Sequence, residues 1–335
     1  MKTAAKLFRF DDALLPNLLA WGYMFSAYIF GFAALLADAL WLNVLGVLFL
    51  AHSMVIAAYF VHECAHESLF KKSRHNQLFG ELLLWLCGAS YSDYKAVQHK
   101  HVRHHMDRAD IVSFDFRTRL KKYPKTLKLI NFLEWFYIPA LEIMMHGLVL
   151  VLPFVKESRK ALRSRIIIVL ILRIAFFAVL ASISLKVLVL YPVAYMLFLT
   201  VMRFMDVHQH TYDLYETLDQ PSGDEVKQYD SAFEKRNTFS NVLSLKYPWL
   251  NLLVLNFSYH NVHHDKQMQP WYRLPALHKK LYGNDETQVL SFVNLLKSYH
   301  RYRMQRVINS DATDIDVHQG RDFIGVAGVS FLTAH

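Results

Sequence analysis

Nine of the 18 histidines in the sequence fall into four groups whose spacing suits metal binding. The groups, one of which includes an aspartate, are His62 and His66; His101, His104 and His105; Asp206 and His210; and His260, His263 and His264. Intervals of three and four residues place the members of each group on one face of a helix. Because neutral imidazole is the commonest metal ligand in proteins, the groups predict metal chemistry.

The number of histidines predicts two metal ions. A four-coordinate zinc ion takes at most four ligands, so nine imidazoles exceed what one ion can bind. Two ions with four or five ligands each would use nine histidines and one further donor. Asp206 stands four residues before His210, and we expect its carboxylate to be that donor, directly or through a water. Imidazole binds zinc, copper, iron and nickel, so the ligand type leaves the metal open.

Several carboxylates near the groups are candidates to accept a hydrogen bond from the second ring nitrogen of a ligand. They are Glu63, Glu67, Asp107, Asp110, Asp115, Asp213 and Asp265. Each is more often a solvated or helix-capping residue. His208 lies between Asp206 and His210, but on a helix it would point away from both, so we expect no ligand role for it. Cys64 and Cys87 are the only cysteines, which excludes a cysteine-ligated iron–sulfur cluster.

Four long apolar stretches are predicted to cross a membrane. They are residues 14–36, 41–61, 166–185 and 187–205. The first would be about 35 Å long as a helix, enough to cross a bilayer. The connections within each pair are too short for anything but tight turns, which predicts two hairpins. A composition of 54% hydrophobic and 19% charged residues agrees with a membrane protein.

Basic residues predict the orientation of the hairpins. They cluster at residues 2–9 and 71–74 around the first hairpin, and at residues 156–165 before the second. The positive-inside rule then places both termini and the active site in the cytoplasm. We expect residues 127–155 to lie at the membrane surface, because one further crossing would separate the later histidines from the earlier ones.

The predicted fold is an all-α membrane protein with four transmembrane helices in two hairpins and a cytoplasmic helical cap that holds a histidine-ligated dimetal site. We expect one integral-membrane domain over residues 1–300 and a mobile tail over residues 301–335. The net charge of +9 is first explained by cytoplasmic loops facing anionic lipid, and second by an acidic protein partner. No motif supports nucleic-acid binding.

The histidine groups resemble the three boxes of the membrane-bound fatty acid desaturase and hydroxylase superfamily. The HxxxH box is similar to the His62 group, and the two HxxHH boxes are similar to the His101 and His260 groups. His210 resembles the additional histidine before the last box. The family has an asparagine one turn before that histidine, whereas this chain has Asp206, which adds negative charge and allows direct metal binding. The resemblance covers about residues 14–285.

The resemblance implies two iron ions, O₂ as co-substrate, and electrons from an external ferredoxin or b-type cytochrome with its reductase. It implies a substrate with a long alkyl chain, as a free fatty acid, an acyl thioester or an acyl lipid. Desaturation is the first interpretation, and a hydroxylase, an acetylenase or a decarboxylase that forms a terminal alkene would share the same boxes. A membrane metal transporter, which places its ligands at mid-membrane, and a histidine-ligated zinc hydrolase are alternatives outside the family.

Overall fold

The structure is a computed structural model, and it describes residues 7–212, 215–219, 229–308, 320–326 and 331–334. The chain divides into two compact units. The first unit is formed by residues up to 94 and residues 146–201, and the second by residues 95–145 and 202–334. Asp213, a candidate from the sequence, lies outside the described residues.

Helices make up most of the described chain, in agreement with the predicted all-α class. In chain order they are α1 (Leu14–Leu36), α2 (Leu40–Ala65), α3 (Ser73–Leu86), α4 (Tyr94–Asp107), α5 (Phe116–Lys122), α6 (Pro124–Trp135), α7 (Ala140–Val155), α8 (Arg163–Ile183), α9 (Val187–Asp206), α10 (Ser231–Arg236), α11 (His260–Asp265), α12 (Leu274–Leu281) and α13 (Phe292–Arg301). Short 3₁₀ helices cover Glu157–Leu162, Pro248–Val254, Trp271–Arg273 and Gln305–Ile308. Two three-residue strands, β1 (Asp110–Val112) and β2 (Tyr215–Thr217), pair in parallel in the second unit.

Four helices in the described chain are long and apolar enough to cross a membrane, which confirms the predicted number of candidate spans. They cover Leu14–Leu36, Leu40–Ala65, Glu157–Ile183 and Val187–Asp206. Helix α2 continues past the predicted end at residue 61, so the first histidine group stands at its C-terminal end. Helix α7 is apolar but has only 16 residues, too few for a candidate span.

Helices α1 and α2 pack closely because glycines stand where they meet. A Cβ at Gly31 would lie 2.9 Å from the Cβ of Leu50, and a Cβ at Gly46 would lie 2.9 Å from the carbonyl oxygen of Gly31. The hydroxyl of Ser53 donates to the Met24 carbonyl at 2.8 Å, so a polar group of α2 is satisfied inside the pair. This packing fixes the direction of the helix that ends in the first histidine group.

Helix α8, in contrast, presents apolar side chains outward. Ile171, Ile174 and Val179 are 60%, 67% and 64% exposed. Side chains of this kind on a helix of transmembrane length are suited to contact with lipid rather than water.

A buried ion pair lies in the second unit. The Arg203 side chain is fully buried at the end of α9, and it pairs with Glu134 of α6. Glu134 also accepts a hydrogen bond from the backbone N–H of Leu141 at 3.0 Å. A charge removed from water needs such a partner, so the pair fixes α6 and the start of α7 against the end of α9.

The described parts of the C-terminal tail, which the sequence predicts to be mobile, make buried contacts. Phe323 and Leu332 are completely buried in the second unit. The backbone N–H of Val326 donates to the Val207 carbonyl at 3.0 Å. The sequence did not predict these contacts, because the tail has no helical or strand periodicity.

Candidate metal centre

Four imidazole nitrogens converge in the second unit. Nε2 of His210 lies 3.1 Å from Nε2 of His104 and 2.7 Å from Nε2 of His260. Nε2 of His264 lies 3.1 Å from Nε2 of His260. Two nitrogens bound to one ion at ~2.1 Å are themselves roughly 3 Å apart, so this spacing suits one metal ion with four ligands. We call these four residues the first cluster.

A second set of histidines converges in the same unit. Nε2 of His105 lies 3.1 Å from Nε2 of His101 and 3.3 Å from Nε2 of His263. We call these three residues the second cluster. The two remaining predicted ligands, His62 and His66, lie in the first unit at the end of α2, where their ring centroids are 4.7 Å apart.

Helical spacing positions most of the ligands, as the sequence predicts. His101, His104 and His105 lie on α4, and the last histidine group lies on α11. Since α4 brings one residue to the first cluster and two to the second, this helix connects the two clusters within the unit.

His210 is positioned in a different way. Helix α9 ends at Asp206, and His210 forms an isolated antiparallel bridge with Thr238. The shared helical face expected for Asp206 and His210 is therefore wrong. Backbone hydrogen bonds between residues 209–211 and 237–239 replace the helical ones, because they satisfy buried polar groups that follow the helix end. Among the described residues, Asp206 belongs to neither cluster, although it lines the neighbouring pocket.

Hydrogen bonds orient two imidazoles of the first cluster. Nδ1 of His104 donates to the Ala109 carbonyl at 2.8 Å, and Nδ1 of His264 donates to the Glu234 carboxylate at 2.9 Å. Donation from Nδ1 leaves the Nε2 lone pair available for a metal. Glu234 also accepts from Nε of Arg108 at 2.9 Å, so the carboxylate itself is fixed.

Glu234 is not among the carboxylates predicted from the sequence, because it lies 30 residues before His264. Several carboxylates that the sequence did suggest have other partners. Asp107 accepts from Arg103 at 2.7 Å, Asp265 accepts from the Tyr282 hydroxyl at 2.6 Å, and Asp115 caps the N-terminus of α5. A carboxylate can accept a hydrogen bond from a metal ligand only if the fold brings the two side chains together. The local sequence does not contain that information.

Burial keeps the first cluster neutral. Burial, and to a smaller extent the neighbouring His264, lowers the pKa of His104 to about 3. Burial also lowers the pKa values of His210 and His260 well below the usual range. Neutral imidazoles with facing lone pairs repel one another unless a cation lies between them. The donor set therefore fits a first-row metal ion.

Acidification is expected to destabilise the metal-free protein. Since folding lowers the pKa of His104 from ~6.5 to about 3, the unfolded chain binds protons more readily, and stability falls as the pH drops through this range. Thermal unfolding of chelator-treated protein in detergent, between about pH 8 and pH 5, should show a constant Tm above about pH 7.5 and a decline below about pH 6. A Tm that stays constant throughout would contradict neutral, buried imidazoles.

A pocket lies beside the clusters in the second unit. It is lined by His101, His104, His210 and His260, by the polar residues Lys100, Asp110, Asp206 and Gln209, and by the apolar residues Ile111, Val112, Phe257, Val326 and Phe331. Burial lowers the pKa of Lys100 to about 8 and raises the pKa of Asp110 to about 6. The pocket thus brings charged and apolar side chains together with the imidazoles.

Comparison with known proteins identifies the class to which this fold and cluster belong. Residues 39–294 match the fatty acid desaturase family, which is most of the 335-residue chain. The chain belongs to the fatty acid desaturase family, and the resemblance predicted from the histidine boxes is confirmed. Membership implies an oxidoreductase that acts on a fatty acyl substrate in a membrane context. Comparisons with curated proteins and with solved structures gave no match.

Proposed function

We propose that the protein is an O₂-dependent di-iron enzyme that desaturates a long fatty acyl chain. The observation that carries the proposal is the convergence of imidazoles into two clusters, the first of them buried and neutral, in a chain of the fatty acid desaturase family. An unactivated C–H bond has no acidic proton that a side-chain base can remove. Bound iron would supply the oxidising power that the reaction needs.

The first cluster would hold one ion through four Nε2 atoms. The second cluster supplies three donors for the other ion, and the ligand count from the sequence assigns His62 and His66 to complete the set. Asp206 remains the proposed tenth donor, directly or through a water. The protein's own contribution is to orient the imidazoles through Ala109 and Glu234 and to exclude water from the clusters.

In the balanced reaction, the saturated chain consumes one O₂, two electrons and two protons. The products are the alkene and two waters. The electrons require a carrier, and we propose a separate ferredoxin or b-type cytochrome with its reductase. A basic surface would attract an acidic carrier. The substrate would be a free fatty acid, an acyl thioester or an acyl lipid.

We further propose the membrane arrangement derived from the sequence. The four candidate spans would form two hairpins, with both termini and the metal centre in the cytoplasm. Residues 1–300 would act as one integral-membrane domain. Labelling an engineered cysteine at exposed Lys122 in intact cells and in inverted vesicles tests this, because only the vesicles should react with an impermeant reagent.

Other outcomes of C–H oxidation use the same ligands. A hydroxylase, an acetylenase or a decarboxylase that forms a terminal alkene would have the same clusters. A metal transporter or a zinc hydrolase is a remoter alternative. Labelling His62 and His105 from the cytoplasm separates the transporter, which places its ligands at mid-membrane, and metal analysis separates the hydrolase.

Product analysis tests the proposed reaction. Cells that express the protein would be supplied with C8 to C18 fatty acids, and their lipids and headspace examined by mass spectrometry. We expect new double bonds in acyl chains, absent from cells that express the His104→Ala variant. Unchanged acyl profiles from iron-loaded protein would reject acyl-chain oxidation, and one zinc per chain without iron would favour a hydrolase.

A further inference from the structure

Residues 331–334, which we call the wall segment, bring one side chain to the pocket beside the histidine clusters. Phe331 lines the pocket, and its ring centroid lies 5.9 Å from that of His101. The next three residues, Leu332, Thr333 and Ala334, are completely buried. A distant part of the chain therefore supplies an aromatic surface next to a predicted metal ligand.

Two buried donors fix the wall segment. Nζ of Lys100 donates to the carbonyl and to the hydroxyl of Thr333, at 3.0 and 3.2 Å. The hydroxyl of Ser113 donates to the same carbonyl at 2.6 Å. Lys100 precedes His101 on α4, so the wall segment is attached to the helix that carries proposed ligands of both clusters. Phe331 thus has a defined position relative to the imidazoles.

The composition of the pocket indicates what Phe331 contacts. Phe331 is one of five apolar residues in the lining, together with Ile111, Val112, Phe257 and Val326. An alkyl chain has no polar group to be recognised, so its position depends on the shape of such a surface. The carbons beside the imidazoles are the ones within reach of oxidation.

We propose that Phe331 is a specificity-determining residue that contacts the alkyl chain of the substrate and sets which carbon lies beside the histidines. Lys100 and Ser113 act as positioning residues that fix the segment carrying Phe331. The proposal rests on the proposed function, because it takes an acyl chain as the substrate.

Substitution of Phe331 tests the proposal. In Phe331→Ala, and to a smaller extent in Phe331→Leu, we expect the ratio of double-bond positions or of preferred chain lengths to change on the order of tenfold. The iron content should stay at the wild-type level. Ser113→Ala should change the ratio in the same direction by a smaller factor, because it removes one of the donors to Thr333.

Phe323→Leu is the matched control. Phe323 is a buried aromatic residue in the same part of the chain, and it packs against His208 and Phe239 rather than lining the pocket. We expect product ratios in this variant to equal those of the wild type. Unchanged ratios in Phe331→Ala, or rates that fall equally for all chain lengths, would overturn the proposal.

A binding readout separates this proposal from the proposed function. A palmitic acid analogue with a diazirine in its alkyl chain should cross-link to the peptide containing Phe331, and unlabelled palmitic acid should compete. Cross-links confined to other peptides would overturn the role of Phe331. If the wild type oxidises no acyl chain, the proposed reaction fails, while the cross-link still decides whether Phe331 contacts an alkyl chain.

Discussion

His104→Ala is expected to abolish turnover and to lower the iron content of the purified protein by about half, since one of two ions loses a ligand. The substitution removes the Nε2 atom that lies 3.1 Å from Nε2 of His210. It also removes the hydrogen bond from Nδ1 to the Ala109 carbonyl, which fixes the orientation of the ring. Three imidazoles of the first cluster would remain, and water would take the place of the missing rigid ligand. Turnover and iron per chain, measured by mass spectrometry on the same preparation, check the expectation.

His208→Leu is the matched control for this loss. His208 is completely buried two residues before His210, but its ring packs against Phe204 and Phe323 and lies outside both clusters. We expect this variant to keep the iron of the wild type. Wild-type iron and turnover in His104→Ala would remove His104 from the ligand set. His263→Ala should repeat the loss for the second cluster.

Glu234→Ala is expected to weaken iron binding roughly 10- to 100-fold. The carboxylate accepts hydrogen bonds from Nδ1 of His264 and from the partly exposed Arg108. Its removal leaves the buried Nδ1 of His264 unsatisfied and frees the imidazole to rotate. Glu234→Gln keeps one acceptor oxygen, and we expect a smaller loss. Iron retained against a series of chelator concentrations measures the affinity, and turnover should fall in the same order.

Asp265→Asn provides the comparison for Glu234. Asp265 is the direct neighbour of His264 in the sequence, yet it accepts from the Tyr282 hydroxyl at an exposed position. We expect iron retention in this variant to stay close to that of the wild type. Equal losses in the two carboxylate variants would show that general charge near the cluster, and not the hydrogen bond to His264, controls the affinity.

The sequence predicts those features that depend on neighbouring residues. The four candidate spans and the helical placement of the HxxHH groups follow from apolar runs and from intervals of three and four residues. Family membership follows from the same spacing. Helical geometry repeats every few residues, so a short stretch contains all the information that such a prediction needs.

Only the tertiary structure decides which distant groups meet. It makes Glu234, and not a carboxylate nearer in the sequence, the acceptor for His264. It places His210 in a bridge with Thr238 beyond the end of α9. It also holds residues 331–334 near the pocket through hydrogen bonds from Lys100 and Ser113. Contacts of this kind join residues from about 30 to more than 200 positions apart. They arise because buried donors and acceptors must find partners wherever packing brings the chain together, and sequence periodicity carries no record of that choice.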